Sequence, residues 1–149
     1  VVTKTSNLSY KIAGESHEKI DSNTELAIKK LKNSSNVDFV GLLSRDMVQG
    51  FLSQAYCLLN TSFYEGFSNT FLESFSVGTP VVTTFKTDPD MIINKNHLGY
   101  TVKSYQELPN AIFKAVDNKL DYNHIQNYLN SEHSPNFIVD KLNKILKND

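Results

Sequence analysis

The chain has 149 residues, of which 40% are hydrophobic and 21% charged, and its net charge is -1. This is about one domain of ordinary globular sequence, large enough to bury a core, which excludes a disordered chain. The basic residues are scattered lysines with one arginine, Arg45, so the sequence carries no footprint for nucleic acid.

A lone cysteine, Cys57, excludes a disulfide within the chain and points to a reducing, cytoplasmic compartment. It lies in an apolar run and reads as a small buried hydrophobe. No apolar run approaches the roughly 20 residues of a membrane span, and no secretory signal opens the chain, so it is read as soluble.

In chain order, residues 8–13 read as a first strand ending at Gly14-Glu15. Residues 21–34 read as an amphipathic helix with Leu26, Ile28 and Leu31 inward and lysines opposite. A second strand is expected over 37–42 and a second helix over 44–55, with Met47, Val48, Phe51 and Leu52 inward. The apolar run 56–62 is a third strand, followed by a helix that begins near Ser68-Asn69-Thr70 and carries Phe71, Leu72 and Phe75 at helical spacing. Pro80 marks the entry of a fourth strand over 81–85. Asp88-Pro89-Asp90 opens a short helix to Asn94, and residues 99–102 form a fifth strand. Ser104 and Glu107 have the spacing of a capping box for a helix reaching about Asn118. The tail 122–147 is helical, in two pieces divided near Ser134-Pro135.

Strands alternating with helices over short loops predict an α/β fold, a Rossmann-like doubly wound parallel sheet with helices on both faces. Ligands of such sheets bind outside the carboxyl ends of the strands. Four loops are therefore expected at the crevice: 14–17, 42–45, 63–68 and 86–90. No internal repeat or linker divides the chain.

One stretch stands out chemically. Between Asp46 and Lys86 the only charged residues are Glu65 and Glu73, in a largely apolar context where a carboxylate is costly unless it meets water or a partner. Glu65 falls on the loop before a helix, and Glu73 about 7 Å further along its axis. Between them lie the free N–H groups of the helix start, which favour an anion. A ligand with hydroxyl-bearing groups at both ends and phosphates between them suits this layout, as a nucleotide-sugar does.

Glu65-Gly66-Phe67-Ser68-Asn69-Thr70-Phe71-Leu72-Glu73, followed by Gly78-Thr79-Pro80-Val81-Val82, resembles the signature of retaining glycosyltransferases of family 4, the glycosyl transferases group 1. The glutamate pair alone is weak, and Gly66-Phe67 together with the Gly-Thr-Pro strand entry gives it specificity. The resemblance covers roughly residues 8 to 118 and implies the donor-binding, C-terminal half of a GT-B fold. It implies that Glu65 contacts the donor sugar at the catalytic centre and that Glu73 holds the ribose. It also implies that the backbone near Gly66, Phe67 and Ser68 touches sugar and phosphate, and that Asn69 and Thr70 meet the diphosphate. Gly41 and Leu42, with Arg45 nearby, fall where such enzymes receive the nucleobase. No metal or other cofactor is expected, the nucleotide-diphosphate sugar being the substrate.

The family's diphosphate-gripping arginine and lysine precede the strand that comes first here. The chain is therefore expected to be a fragment lacking the domain's own first strand and helix, which would precede residue 8, and lacking the N-terminal domain that binds a glycan, lipid or protein acceptor. The whole enzyme is expected in the cytoplasm or at the cytoplasmic face of a membrane, and the fragment alone is expected to be inactive.

Plainer readings compete. Glu73 fits a solvated helix face, Glu65 fits a residue favouring the positive helix end, and Ser68 and Thr70 cap the helix with or without phosphate. Phe63, Tyr64, Phe67, Phe71 and Phe75 read first as core. His17, His97, His124 and His133 have no ligand spacing among them. No dinucleotide fingerprint, P-loop or nucleophile elbow is present. A receiver-like domain finds only Glu15 and Glu18 near its acidic cluster and Lys103 after the fifth strand. A non-catalytic nucleotide-sugar-binding or interaction domain, or another GT-B enzyme such as an epimerase or phosphorylase, stays as the alternative.

Overall fold

The computed structural model describes residues 1–15, 19–88, 90–118 and 120–147. His17, Glu18 and Pro89, and with them parts of two expected crevice loops, lie outside the described residues. The chain divides into two compact units, Val1–Val48 and Gln49–Asp149.

The first unit runs from a 3-10 turn, Val2–Thr5, through β1 (Tyr10–Ala13), α1 (Ser22–Lys32) and β2 (Val37–Gly41) to the start of α2 (Arg45–Leu52). β1 and β2 pair in parallel, Tyr10 opposite Val37 and Ile12 opposite Phe39, as a strand–helix–strand crossover requires. Asp21 caps α1, its carboxylate accepting from the N–H groups of Asn23 (2.9 Å) and Thr24 (3.1 Å). Those bonds, with the Thr24 hydroxyl contributing most, hold the Asp21 carboxyl below its usual range. The helix is where sequence placed it, but its apolar stripe is only partly covered, Ile28 and Leu31 being half-buried. No residue of α1 is buried and Leu26 is 56% exposed, because a two-stranded sheet is too narrow to shield the whole stripe. Met47, expected inward on α2, is likewise exposed, and Leu52 is the buried residue of that helix.

The second unit contains β3 (Leu58–Leu59), α3 (Asn69–Ser76), β4 (Val81–Thr84), α4 (Ile92–Lys95), β5 (Gly99–Val102), α5 (Leu108–Asp117), α6 (Tyr122–His133) and α7 (Pro135–Leu146). Its sheet is parallel in the order β3-β4-β5. The fold class is thus parallel α/β, but the strands hydrogen-bond as two sheets, one in each unit, rather than as one run of five. All four residues of β4 are buried. Successive side chains of a strand point to opposite faces, so β4 is covered on both. α5 packs on β4 and β5 and buries Leu108, Pro109, Ala111, Ile112 and Ala115. Phe71 and Phe75 of α3, Val81, Ile93, Leu98 and Ile125 of α6 form the core cluster. Gly99 has φ +150°, and a Cβ there would lie 1.9 Å from the Val81 carbonyl oxygen, so the β4–β5 approach requires glycine.

Asn94 shields the edge beyond β5 as a surrogate strand. Its amide donates to the Thr101 carbonyl and accepts from the Thr101 N–H, each at 2.9 Å. The buried Asp88 accepts from the N–H groups of Ile92 (2.9 Å) and Ile93 (3.2 Å) at the start of α4. The Ser104/Glu107 capping box does not form. Ser104 instead donates its hydroxyl to the Glu107 carboxylate at 2.9 Å, residues 105–107 make a 3-10 turn, and Pro109, which has no N–H to cap, enters the first turn of α5. The break at Ser134-Pro135 is as read, with the Ser134 hydroxyl accepting from the Phe137 N–H at 3.3 Å. Cys57 is half-buried, and burial pushes its thiol up to about 11, so it stays protonated at neutral pH.

α3 ends in a Schellman motif: the Gly78 N–H donates to the Phe75 carbonyl (3.0 Å) and the Thr79 N–H to that of Ser74 (2.9 Å). Gly78 has φ +72°, and a Cβ on it would lie 1.9 Å from the Tyr122 ring. Gly78→Ala is therefore expected to cost about 2–4 kcal/mol in urea denaturation, through left-handed strain and overpacking. Thr84 is 2% exposed and its hydroxyl has no hydrogen-bond partner among the described residues. Thr84→Val exchanges that hydroxyl for a methyl of similar size, and an increase in stability of about 1 kcal/mol by the same measurement is expected.

Candidate functional site

The candidate site begins where β3 stops. The Leu58 N–H donates to the Pro80 carbonyl (2.9 Å) and the Asn60 N–H to that of Val82 (3.0 Å), the last rungs of the β3–β4 pairing. The expected strand over 56–62 is thereby cut to two residues. The reason is the Asn60 side chain, whose carbonyl oxygen accepts from the Ser62 N–H at 2.9 Å and turns the chain out of the strand. The Asn60 amide nitrogen donates to Glu65 Oε2 at 2.9 Å. Asn60 was not singled out from sequence, although Asn-Thr-Ser after an apolar run is itself a turn signal.

Glu65 is exposed, on the loop before α3. The Asn60 amide lowers its pKa most, desolvation opposes it, and Ser68 and Ser62 add smaller lowering contributions. The carboxylate is held ionised by neutral donors. A carboxylate offers about four lone-pair positions, so capacity remains for a hydroxyl from outside.

Ser68 is the N-cap residue of α3 by position, with extended backbone at φ -69° and ψ 136°, but its side chain makes no cap hydrogen bond. This corrects the expectation that Ser68 and Thr70 cap the helix. The Ser68 side chain is buried, and the α3 start is without a side-chain cap for its first amides. Asn69 is exposed and Thr70 half-buried at this end.

Phe67 fixes the turn by packing edge-on against Phe71 (5.6 Å between centroids) and stacking on His133 (5.8 Å). Gly66 beside it is exposed, with open space where a Cβ would lie. Phe71 and Phe75 are core, as read. Phe63 and Tyr64 are not, being 61% and 78% exposed and packed edge-on at 5.2 Å. Their carbon surface is covered in part by Lys86, whose Nζ sits 3.7 Å from the Phe63 centroid. Two apolar residues on a tight exposed loop have no inward direction available, and a lysine stem with its ammonium over the ring is the cover the neighbouring loop supplies.

Glu73 is half-buried on α3 and lines a depression of about 380 Å³ with Gln49, Ser76, Leu129 and His133. A second depression, about 200 Å³, lies beyond β4 and β5 and is lined by Thr84, Lys86, Lys103 and Tyr105. Glu65 lines neither. Gly41, Leu42 and Arg45 belong to the first unit: Gly41 ends β2 with φ +74°, Leu42 is 68% exposed, and Arg45 is the exposed first residue of α2. No group of three metal-ligating side chains occurs among the described residues, and no described helix is long and apolar enough to cross a membrane.

The model of the glycosyl transferases group 1 family matches residues 2–132 of the chain. The chain belongs to this family. Its fold is that of GT-B glycosyltransferases with solved structures. WaaG, a glycosyltransferase involved in lipopolysaccharide biosynthesis, is 22% identical with a TM-score of 0.67, over 86% of this chain and 35% of WaaG. HepE from Anabaena, solved in complex with UDP-glucose, is 17% identical with a TM-score of 0.73, over 99% of this chain and 44% of HepE. AviGT4, a glycosyltransferase involved in avilamycin A biosynthesis, is 16% identical with a TM-score of 0.51, over 81% of this chain and 41% of AviGT4. The chain thus spans less than half the length of each of these structures. No curated protein matches it.

Ser68 makes no cap hydrogen bond, so Ser68→Ala is expected to change stability by well under 1 kcal/mol. Asp121→Ala, which removes a real cap bond to the Asn123 N–H (2.9 Å) at α6, is expected to cost about 1 kcal/mol. Parallel urea denaturation of the two variants checks the contrast.

Proposed function

We propose that this chain is the donor-binding half of a larger, retaining glycosyltransferase of family 4, one that moves a sugar from a nucleotide-diphosphate sugar to an acceptor. The observation that carries the reading is the pairing of an ionised Glu65 with the adjoining α3 start, whose first amides have no side-chain cap, in a chain of the group 1 family. Support comes from HepE, which shares the fold and was solved with UDP-glucose.

In this reading Glu65 accepts a hydroxyl of the donor sugar, at the catalytic centre. The main chain of Gly66, Phe67 and Ser68 lies along sugar and phosphate, and the amides of Asn69 and Thr70 face the diphosphate. Glu73, one turn further, takes the ribose hydroxyls, and Gly41, Leu42 and Arg45 receive the base. As the sugar–phosphate bond lengthens, negative charge grows on the departing diphosphate, and donors already aimed at it stabilise it without reorganising. A helix N-terminus supplies at most about 2 kcal/mol. Enzymatic acceleration requires roughly 8 kcal/mol or more. Further cations must come from elsewhere in the whole enzyme, together with an N-terminal domain that binds the acceptor, and no metal ion is needed for the roles assigned here.

Titration of the chain with UDP and with GDP, followed by amide NMR shifts, tests the reading. Shifts centred on residues 66–73 and on Gly41 are expected, and the tighter nucleotide identifies the base. Glu73→Ala is expected to weaken binding about tenfold to a hundredfold, the range of a hydrogen bond to a charged group, with the spectrum of the folded chain preserved. Normal binding by a folded Glu73→Ala variant would remove Glu73 from its role.

A further inference from the structure

Every polar group of Asn60 is engaged. Its main-chain N–H donates to the Val82 carbonyl at 3.0 Å and its carbonyl accepts from the Thr83 hydroxyl at 3.1 Å, which seats the residue on β4, the strand buried on both faces. The two ends of its side chain then do different things. The oxygen receives the Ser62 N–H and shapes the turn, while the nitrogen holds Glu65 Oε2. Without that contact an exposed glutamate on a loop samples many rotamers, and ordering it at the moment a ligand binds carries an entropy cost.

Resting on the donor-site reading of Glu65, we propose that Asn60 is the positioning residue of the site, transmitting the register of the β3–β4 pairing to the Glu65 carboxylate and orienting it as a fixed acceptor for a ligand hydroxyl. A fixed acceptor differs from a proton shuttle. Glu65 stays ionised through neutral pH, and its lowered pKa has hydrogen-bond donors and no charged group among its causes. Of the charged groups on neighbouring segments, Lys86 is turned onto Phe63 and Tyr64, and Asp88 is buried against the start of α4.

Asn60→Asp separates the two ends of the side chain. It keeps an oxygen for the Ser62 N–H, removes the donor to Glu65 and sets a second carboxylate beside it. In the whole chain, carbon-13 NMR of the Glu65 carboxyl is expected to show its pKa rising by a unit or more in Asn60→Asp, and by less in Asn60→Ala, which adds no charge. With UDP-glucose as the probe, affinity is expected to fall about tenfold in both variants. A Glu65 pKa unchanged in the folded variants would overturn the proposal, as would unchanged UDP-glucose affinity in Asn60→Asp where Glu65→Gln weakens it. If Glu65→Gln binds UDP-glucose like the parent chain while the pKa moves as expected, the donor role of Glu65 fails and the Asn60 clamp is upheld. Should Asn60→Asp fail to fold, Asn60→Ala carries the same pKa readout.

Discussion

The second unit is built around one constraint, the complete burial of β4. A strand covered on both faces must satisfy its backbone on both edges, and it does so by parallel pairing with β3 and β5. Much else in this unit follows. The β5 side requires Gly99 because only a residue without Cβ clears the Val81 carbonyl. On the β3 side, pairing runs only as far as Asn60, and the chain then leaves the sheet at a defined place and direction. The loop that carries Glu65 is therefore an extension of the sheet's hydrogen bonding, anchored at its other end by Phe67 among Phe71, Phe75 and His133.

Legibility in the sequence followed the range of the interaction involved. Local signals were readable: the helix after Ser68, the Pro135 break and the Asp21 helix each depend on neighbours a few residues away. So was the alternation of strands and helices, and with it the parallel α/β class. What escaped depended on surroundings that periodicity does not encode. Leu26 and Met47 have the spacing of core residues but lie exposed, because the unit holding them is small. Phe63 and Tyr64 belong to an aromatic-rich run, yet the turn imposed by Asn60 faces them outward.

The candidate site shows the same division. The two glutamates and the helix start were visible as a pattern, whereas the absence of a side-chain cap at Ser68 was not. Serine before a helix is ordinarily read as a cap, yet the Ser68 side chain makes no cap hydrogen bond. The α3 start is left without a side-chain cap, beside a carboxylate held by the Asn60 amide.

The hydrogen-bond partner of Glu65 is the neutral amide of Asn60, and no charged group is among the causes of its lowered pKa. An ion pair loosens as ionic strength rises, because mobile ions screen each member from the other. Dipoles at hydrogen-bond distance are far less affected. The carboxylate therefore keeps both its full charge and its orientation from dilute buffer to concentrated salt. Screening acts instead on what approaches it from solvent, so salt tunes the encounter with a charged ligand while the acceptor that meets it stays the same.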